Sequence, residues 1–271
     1  MPELPEVEVL TQQLSKKLKG LRVQELCLNQ NKIIQGAVEE GGHTFVGKNI
    51  VAVRRVGKYL SLCFEDQSRI WFHLGMTGQL IFGEAKPASA KHLHAIIRFQ
   101  GQKNTLFFYD IRKFGKMIIT HSSSEVPEGV QKMAPDPFQM TQTQFMERFR
   151  NRTGRIKSLL MNQHIIAGLG NIYADESLYE ARIHPNKRAV RVSQKKLEKL
   201  HRCIVEVLHK AVAGGGSSVD DFRHVNGMRG RYQENHQVYG RQGESCRSCQ
   251  TKIRRIFLSG RSAHFCPQCQ K

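Results

Sequence analysis

The chain begins Met1-Pro2-Glu3-Leu4-Pro5-Glu6-Val7-Glu8, a stretch with neither a basic cluster nor a long apolar run. Pro5 suits an early helical position, because the backbone N–H that proline lacks has no partner there. Acidic side chains favour the positive end of a helix dipole, and Glu3, Glu6 and Glu8 are placed accordingly. The stretch therefore predicts a helix that begins within the first few residues.

The same stretch carries a candidate nucleophile. If Met1 is removed, Pro2 becomes a terminal secondary amine, with a pKa of about 8 rather than the value of about 10.4 for lysine. A useful fraction is then uncharged near neutral pH and can attack an aldehyde-type carbon to form a Schiff base. Two carboxylates one turn apart could serve as acid and orienting group. On these residues alone, a capped amphipathic helix without chemistry is the simpler interpretation, because capping patterns are common.

Size and charge narrow the class of protein. The chain has 271 residues, of which 39% are hydrophobic, so it is globular and long enough for two domains. Its net charge of +19 indicates a polyanionic partner, with nucleic acid the first candidate. A generally basic protein, or one that meets anionic membrane surfaces, is the alternative. No stretch is apolar over the roughly 18 residues that a spanning helix needs, and no signal peptide is visible, so we expect a cytosolic location.

The first half of the chain is rich in short β-type segments. A helix over about Pro5–Lys19 has apolar residues spaced three and four apart. Eight strands are predicted after it, over Leu21–Leu28, Asn49–Arg55, Tyr59–Phe64, Arg69–Phe72, Gln79–Phe82, His94–Phe99, Thr105–Tyr109 and Lys116–Thr120. Their spacing predicts an antiparallel sandwich or barrel. The polar, proline-containing segment Ser122–Pro137 is predicted to link this half to the next.

The second half has helical patterns. Helices are predicted over Thr143–Arg150, Arg155–Asn162 and Ile172–Ala181. Ser193 is placed to cap a long helix that ends near Ala213. The segment Ser217–Glu234 is polar, basic and contains glycine, which predicts a mobile loop.

Four of the seven cysteines form the terminal pattern Cys-x2-Cys-x16-Cys-x2-Cys, at Cys246, Cys249, Cys266 and Cys269. Two such pairs are typical of a tetrahedral thiolate cage for structural zinc, with a β-hairpin between the pairs. Ser259-Gly260-Arg261 is predicted at the hairpin tip. From Cys246 to Lys271 inclusive there are six Lys or Arg residues and no acid, which suits a DNA groove. A ribbon that only fastens the C-terminus is the alternative.

One further stretch suits phosphate binding. Gly168-Leu169-Gly170-Asn171 opens a helix, where glycines let backbone N–H groups approach an anion. Alone this signal is weak, since many helix connections use glycine, but Arg152, Arg155 and Lys157 lie just upstream. Lys58 falls at a turn between two strands, where a solvated lysine is the simpler interpretation.

Two apolar residues stand in polar surroundings. Phe114 follows two cations in Asp110-Ile111-Arg112-Lys113-Phe114-Gly115, and Met76 lies within His73-Leu74-Gly75-Met76-Thr77-Gly78. Such side chains suit a protein that unstacks a base and fills the gap with an apolar wedge. On these residues alone, packing in the core is the simpler interpretation for both.

Taken together, these motifs resemble the bacterial formamidopyrimidine-DNA glycosylase family of 8-oxoguanine repair enzymes. The resemblance covers essentially the whole chain, from Met1–Glu8 to the terminal cysteines. Further motifs that carry it are Gly57-Lys58-Tyr59-Leu60, His73-Leu74-Gly75-Met76, Lys91-His92-Leu93-His94, Asp110–Gly115, Gly168–Tyr173, Gly215-Gly216-Ser217-Ser218, Gln237-Val238-Tyr239-Gly240 and the run 260–270.

The resemblance implies an α+β multidomain protein that holds DNA in a basic cleft. An N-terminal β-sandwich over residues 1–133 carries the catalytic helix, a helix-two-turns-helix domain covers 134–236, and a zinc finger with a zinc-ribbon hairpin covers 237–271. The implied cofactor is one structural zinc ion, and the implied partner is double-stranded DNA that contains oxidised bases or abasic sites. A monomer in the bacterial cytoplasm, associated with the nucleoid and not with a membrane, is expected.

The implied activity is that of a bifunctional DNA glycosylase and apurinic/apyrimidinic lyase, which excises 8-oxoguanine and formamidopyrimidines and cuts the strand. By resemblance, Pro2 attacks the sugar C1′ to give a Schiff base, Glu3 donates a proton, and Glu6 holds the N-terminus in place. Lys58 is the implied proton donor in β-elimination. Arg261 takes that role in δ-elimination and grips phosphates.

The resemblance also implies which residues contact DNA. Contacts to the strand or its phosphates are implied for His92, Arg112, Arg152, Lys157, Asn171 and Tyr239. The space left by the extruded base would be filled by Met76, Arg112 and Phe114. The loop over about 217–232 would close over the lesion.

Two alternatives remain at this stage. A sister class with the same fold prefers oxidised pyrimidines, but it tends to have glycine before the second proline of the opening motif, where this chain has Leu4. A zinc-ribbon DNA-binding protein without catalysis would need no free Pro2. Two positions depart from the family pattern, Asn235-His236 and Leu93, and they leave open the strength of the lesion-loop and DNA contacts.

Overall fold

The computed structural model describes residues 1–29, 32–36, 44–84 and 90–271. These form two compact units, Met1–Gln131 with Gly214–Arg231 and Lys132–Ala213 with Tyr232–Lys271. The three-domain division at residues 133 and 236 stays a prediction. Within the described ranges, no helix is both long and apolar enough to cross a membrane.

In its described part, the first unit is built on nine strands. They are β1 (Val23–Leu28), β2 (Ile34–Gly36), β3 (Ile50–Val56), β4 (Tyr59–Phe64), β5 (Arg69–His73), β6 (Gly78–Gly83), β7 (Leu93–Phe99), β8 (Thr105–Asp110) and β9 (Lys116–Thr120). One sheet has the order β1-β7-β8-β6 and the other β2-β9-β5-β4-β3. The eight predicted strands are thus confirmed to within two residues at each end. The sequence missed β2, which has only three residues and shows no periodicity.

The two sheets enclose one apolar core, as the sandwich prediction requires. Leu62 and Phe72 from one sheet and Leu106 and Phe108 from the other belong to a single buried cluster. All strand pairings are antiparallel among the described residues except β2 with β9, which is parallel. The core therefore forms a rigid support for the turns that end these strands.

Helix α1 (Leu4–Leu18) begins where the opening stretch predicts it. Glu3 is its N-cap and forms a capping box with Glu6, in which each side chain accepts a hydrogen bond from the other's backbone N–H. Leu10, Leu14 and Leu18 lie at helical spacing and are fully buried in the sandwich core. The core thus fixes α1, and the capping box fixes the residues before it.

The segment Gly214–Arg231 groups with the first unit, although it follows the helical half of the chain. Phe222 and Val225 are buried in the sandwich core. The carbonyl of Val225 accepts a 2.8 Å hydrogen bond from the N–H of Phe82 at the edge strand β6. The predicted loop is therefore attached to the sandwich at Phe222 and Val225.

The second unit contains helices α3 (Gln142–Phe149), α4 (Ile156–Leu160), α5 (Asn171–Glu180) and α6 (Gln194–Ala213), while the four-residue α2 (Glu128–Gln131) lies in the predicted linker. All four predicted helices are confirmed. Helix α5 is central, since eight of its ten residues, Ile172–Tyr179, are buried. Short 3-10 helices occur at Ala189–Arg191 and Tyr232–Asn235 in this unit, and at Ala90–His92 in the first.

The terminal hairpin pairs β10 (Arg254–Leu258) with β11 (Arg261–Phe265). Its turn is Ser259-Gly260, with φ of +50° and +76°, the two left-handed residues typical of a tight hairpin. The sequence predicted Arg261 at the tip of the hairpin. The structure instead places it as the first residue of β11, opposite Leu258. Pairing with Leu258 fixes the backbone of Arg261, and with it the face of the hairpin to which the side chain belongs.

Candidate functional site

The residues before α1 are buried. Pro2, Glu3 and Glu6 are almost inaccessible to solvent. One carboxylate oxygen of Glu6 accepts a 2.8 Å hydrogen bond from the N–H of Glu3, and the other accepts one of 2.8 Å from the N–H of Ser217. A buried carboxylate needs such partners, so Glu6 holds the N-terminal residues in one position.

Gly216 is required beside this carboxylate. Its φ is +77°, and a Cβ there would lie 3.1 Å from Oε1 of Glu6. With Met1 in place, the terminal ammonium lies 3.7 Å from a carboxylate oxygen of Asp220. The segment Gly214–Arg231 thus meets the start of the chain at two points.

Lys58 lies in the two-residue turn between β3 and β4, and its side chain is only 6% exposed. The simpler interpretation of a solvated lysine is therefore wrong. Burial lowers the pKa of His73 to about 4, with the charges of Lys58 and Lys116 as further causes. His73 is consequently neutral at physiological pH, and the cations near it are the lysines.

Met76, Arg112 and Phe114 come together at the ends of the four-stranded sheet. Nη1 of Arg112 lies 3.6 Å from the sulfur of Met76, and its guanidinium lies 4.6 Å from the ring centre of Phe114. Met76 is 39% exposed and Phe114 is 52% exposed, so neither is a core residue and that alternative is wrong. They form an exposed cluster of two apolar side chains and one cation.

The side chain of Asp110 shapes this cluster, a role that the sequence did not reveal. It is fully buried and accepts hydrogen bonds from the N–H groups of Arg112 at 3.2 Å and Gly115 at 2.7 Å, and from the hydroxyl of Thr77. A buried carboxylate that accepts several hydrogen bonds is strongly fixed. Asp110 therefore ties the loop that carries Phe114 to the one that carries Met76.

His92 is half-buried on the 3-10 helix Ala90–His92, edge-on to the ring of Tyr109 at 5.8 Å. Its Nδ1 is buried and has no hydrogen-bond partner among the residues that the structure describes. Such an atom is suited to a ligand or water.

In the second unit, Lys157 is fully buried. Its Nζ lies 2.7 Å from Oδ1 of Asp175 and donates a 2.5 Å hydrogen bond to the carbonyl of Ser262. Asp175 also accepts a 2.8 Å hydrogen bond from the N–H of His264. The sequence suggested that Lys157 contacts a phosphate. In the structure its ammonium is instead buried and paired with Asp175.

Arg261 and Asn171 lie beside this ion pair. Nδ2 of Asn171 donates a 3.2 Å hydrogen bond to the hydroxyl of Ser262, the residue after Arg261. The side chain of Arg261 is exposed. Arg152 is also exposed and donates a 3.4 Å hydrogen bond to the carbonyl of Arg148. The start of β11 is therefore held by three side chains from α4 and α5: Lys157, Asn171 and Asp175.

Tyr239 is positioned by Glu176, another residue that the sequence analysis missed. The buried carboxylate of Glu176 accepts hydrogen bonds of 2.8, 3.0 and 2.8 Å from the N–H groups of Gln237, Val238 and Tyr239. Burial raises the pKa of Glu176 to about 7, although these hydrogen bonds act in the opposite direction. The adjacent acids Asp175 and Glu176, which follow the apolar run Ile172-Tyr173-Ala174, were the available signal, because buried acids need partners.

The four terminal cysteines fit a zinc ion. Their sulfur atoms all lie within 4.8 Å of one another, with separations of 3.4 Å for Cys249 and Cys266, 3.5 Å for Cys249 and Cys269 and 3.9 Å for Cys246 and Cys269. Tetrahedral coordination with Zn–S bonds of about 2.3 Å places sulfur atoms about 3.8 Å apart. The cluster binds one structural zinc, and four protein ligands leave no position for chemistry.

Family models match three parts of the chain. They are the formamidopyrimidine-DNA glycosylase N-terminal domain over residues 1–117, the H2TH domain of the same enzymes over 133–223, and the zinc finger found in FPG and IleRS over 243–271. A curated formamidopyrimidine-DNA glycosylase from Solibacter usitatus is 40% identical over the whole of both chains.

The chain belongs to the formamidopyrimidine-DNA glycosylase family. A second relative with that name, from Pelotomaculum thermopropionicum, is 36% identical over 100% of this chain and 99% of its own. Among solved structures, the Lactococcus lactis Fpg in complex with DNA that contains an abasic site has a TM-score of 0.90 at 34% identity and covers 99% of both chains. The Thermus thermophilus protein has a TM-score of 0.87 at 32% identity, with 99% of this chain and 98% of that chain covered.

Proposed function

We propose that this glycosylase excises oxidised purines, 8-oxoguanine and formamidopyrimidines, from double-stranded DNA and cuts the strand at the resulting abasic site. Family membership supports the enzyme class, and a similar structure contains DNA with carbocyclic 8-oxoguanine. The single observation that carries the proposal is the buried arrangement of Pro2, Glu3 and Glu6 at the start of α1.

We assign the nucleophile to Pro2, after removal of Met1. Its neutral amine attacks C1′ of the damaged nucleotide, a C1′–N bond forms, and the bond from C1′ to the base breaks, so that the base leaves with a proton. The C1′–O4′ bond then breaks, O4′ takes up a proton as the sugar ring opens, and the nitrogen lone pair completes the C=N bond. Glu3 supplies the proton, and Glu6 holds the backbone of Glu3 by the 2.8 Å hydrogen bond. The product is a Schiff base, which keeps the enzyme attached to the DNA without any redox cofactor.

Strand cleavage is assigned to two cations. Lys58 is buried beside the neutral His73, and we propose that it donates the proton in β-elimination. Arg261 is exposed at the start of β11, and we propose that it acts in δ-elimination and grips the phosphates of the cut strand.

The exposed cluster of Met76, Arg112 and Phe114 is proposed to fill the duplex when the damaged base is extruded. Extrusion costs a few kcal/mol, and least for damaged pairs. A half-exposed phenyl ring gains by transfer from water into the base stack, which offsets part of this cost. The same contact makes the enzyme sensitive to how strongly a base is stacked and paired.

The remaining DNA contacts belong to the phosphates, which position the protein but carry no sequence information. We assign them to His92, Arg152, Asn171 and Tyr239. Lys157 is reassigned as a positioning residue, because it holds the carbonyl of Ser262 and not solvent. The net charge of +19 supports strong, salt-dependent binding.

Three further parts of the proposal follow from the substrate. We propose a monomer in the bacterial cytoplasm, in association with the nucleoid. We also retain three functional regions, a catalytic region over 1–133, a helix-two-turns-helix region over 134–236 and a zinc finger over 237–271. The segment Gly214–Arg231 is proposed to close over the lesion, since it already reaches Glu6.

A panel of matched duplexes tests the substrate. We expect excision from duplexes with 8-oxoguanine or a formamidopyrimidine to exceed excision from one with thymine glycol, and undamaged DNA to stay intact. Faster excision of thymine glycol would favour the sister class that prefers oxidised pyrimidines. Binding without any cleavage would favour a non-catalytic DNA-binding protein.

A further inference from the structure

A cationic pocket of about 490 Å³ lies in the second unit, and the proposed reaction does not use it. Five of the side chains that line it carry a positive charge, those of Arg155, Lys187, Arg188, Arg191 and Lys271. The other lining residues are His184 and Asn186, so no carboxylate side chain lines this pocket. We call it the pentacation pocket.

No Asp or Glu side chain in the described part of the chain neutralises these charges. Across residues 1–29, 32–36, 44–84 and 90–271, none of the five cations forms an ion pair with Asp or Glu. Burial and the charge of Lys187 also lower the pKa of His184, so its ring is neutral. Like charges gathered around one concave surface repel each other, and a bound anion removes that repulsion.

The backbone fixes the positions of these residues. Arg155 and Arg188 face each other in an isolated antiparallel bridge. The N–H of Ile156 donates a 2.8 Å hydrogen bond to the carbonyl of Lys187, and the N–H of Ala189 donates one of 2.9 Å to Gly154. A short ladder therefore fixes the backbone of three of the five cations, Arg155, Lys187 and Arg188.

The pocket is separate from the proposed phosphate contacts at Asn171. Helix α5 begins at Asn171 and ends at Glu180, and His184 follows its far end. Ten helical residues span about 15 Å, so a phosphate held at Asn171 does not reach His184. The volume is within the range of small-ligand sites, about 300–1,000 Å³.

We propose that the pentacation pocket is a second anion site, which binds phosphates in series. Arginine is suited to such groups because its planar fork donates two parallel hydrogen bonds to phosphate oxygens. Phosphates in series occur in a free polyphosphate or nucleoside triphosphate and in the backbone of a second DNA segment. The chemistry is shared, and the experiment below separates the sources.

The test uses the full zinc-loaded chain in complex with a saturating short duplex that carries a stable abasic analogue, so that the lesion site is occupied. Inorganic tripolyphosphate is titrated into this complex by calorimetry. The pocket variant is Arg188→Ala with Arg191→Ala. The charge-matched control is Lys195→Ala with Lys199→Ala, two exposed residues of α6 that do not line the pocket.

We expect one saturable site in the complex, weakened at least about tenfold in the pocket variant because two charge-assisted hydrogen bonds are lost. The control should keep the affinity. No saturable binding, or equal affinity in the native protein and the pocket variant, would overturn the proposal.

A second arm identifies the source of the phosphates. Binding of a long undamaged duplex is measured over a range of salt concentrations. If a second DNA segment occupies the pocket, the slope of log K against log[salt] becomes smaller by about 1.8 in the pocket variant, about 0.9 for each lost phosphate contact. An unchanged slope, together with weakened tripolyphosphate binding, assigns the pocket to free polyphosphates. If the tripolyphosphate affinity and the salt slope are both unchanged in the pocket variant, the proposed site is wrong.

Discussion

The carboxylate of Glu6 accepts a 2.8 Å hydrogen bond from the backbone N–H of Ser217, 211 residues further along the chain. Its other oxygen accepts an equal bond from the N–H of Glu3. One buried side chain therefore joins the residues before α1 to the segment Gly214–Arg231. This relationship makes Glu6 the point at which closure of that segment and alignment of Pro2 are connected.

Replacement of Glu6 tests this connection. Glu6→Gln substitutes an amide donor for one of two acceptors, so one backbone N–H loses its partner at a cost of about 1–3 kcal/mol. We expect lower stability in urea unfolding and slower Schiff-base formation in single-turnover trapping. Glu8→Gln is the matched control, because Glu8 pairs with Arg55 at 2.7 Å instead. An unchanged trapping rate in Glu6→Gln would show that Glu6 does not align Pro2.

The buried pair of Lys157 and Asp175 supports the second prediction. Asp175→Asn leaves the ammonium of Lys157 without a counter-charge, which costs about 3–5 kcal/mol of stability. Lys157→Met with Asp175→Leu removes both charges and should recover part of that loss. In addition, the ratio of δ- to β-elimination products should fall in Asp175→Asn, because β11 and Arg261 lose their support. A normal product ratio would limit the pair to a structural role.

The exposed ring of Phe114 gives a prediction about selectivity. Phe114→Ala should leave stability within about 0.5 kcal/mol, because the side chain is at the surface. Excision of paired 8-oxoguanine should slow by at least about tenfold, whereas cleavage at a preformed abasic site should change little, since less must be extruded there. Ile111→Ala, in the same loop and 50% exposed, serves as control. Equal losses on both substrates would argue against a wedge.

Glu176 predicts a pH dependence of stability. Its pKa is about 7 in the folded protein against 4.5 for an ordinary glutamic acid. Between pH 4.5 and about 7, Glu176 is protonated in the folded protein but ionised in the unfolded chain. Its stabilising contribution is therefore complete below about pH 4.5 and is lost as the pH rises to about 7. His73 and His236, with pKa values lowered to about 4, act in the opposite direction. The difference between the native protein and Glu176→Gln isolates the effect.

That difference is measured by urea unfolding of zinc-loaded protein at several pH values. The stability of the native protein relative to Glu176→Gln should fall from about pH 5 to about pH 7 and be level above, as a raised folded pKa requires. A difference that is flat over this interval would mean that Glu176 is ionised throughout.

Local patterns were sufficient for most of the fold, because strands, helices and the cysteine spacing are determined by short-range periodicity. They were insufficient for β2, which is three residues long, and for Arg261, whose place on β11 depends on the φ angles of the turn. The environment of Lys157 and the role of Glu176 depend on partners 105 and 61–63 residues away. Phe222 and Val225 likewise join a core made by the other half of the chain.

The central claim is that the terminal amine of Pro2 is the nucleophile. Borohydride reduction of the enzyme on an 8-oxoguanine duplex, followed by mass spectrometry of the peptide–DNA adduct, measures it directly. We predict an adduct on the nitrogen of Pro2 in protein that lacks Met1, and neither adduct nor strand cleavage in protein that retains Met1. An adduct on a lysine such as Lys58, or normal cleavage with Met1 retained, would contradict the claim.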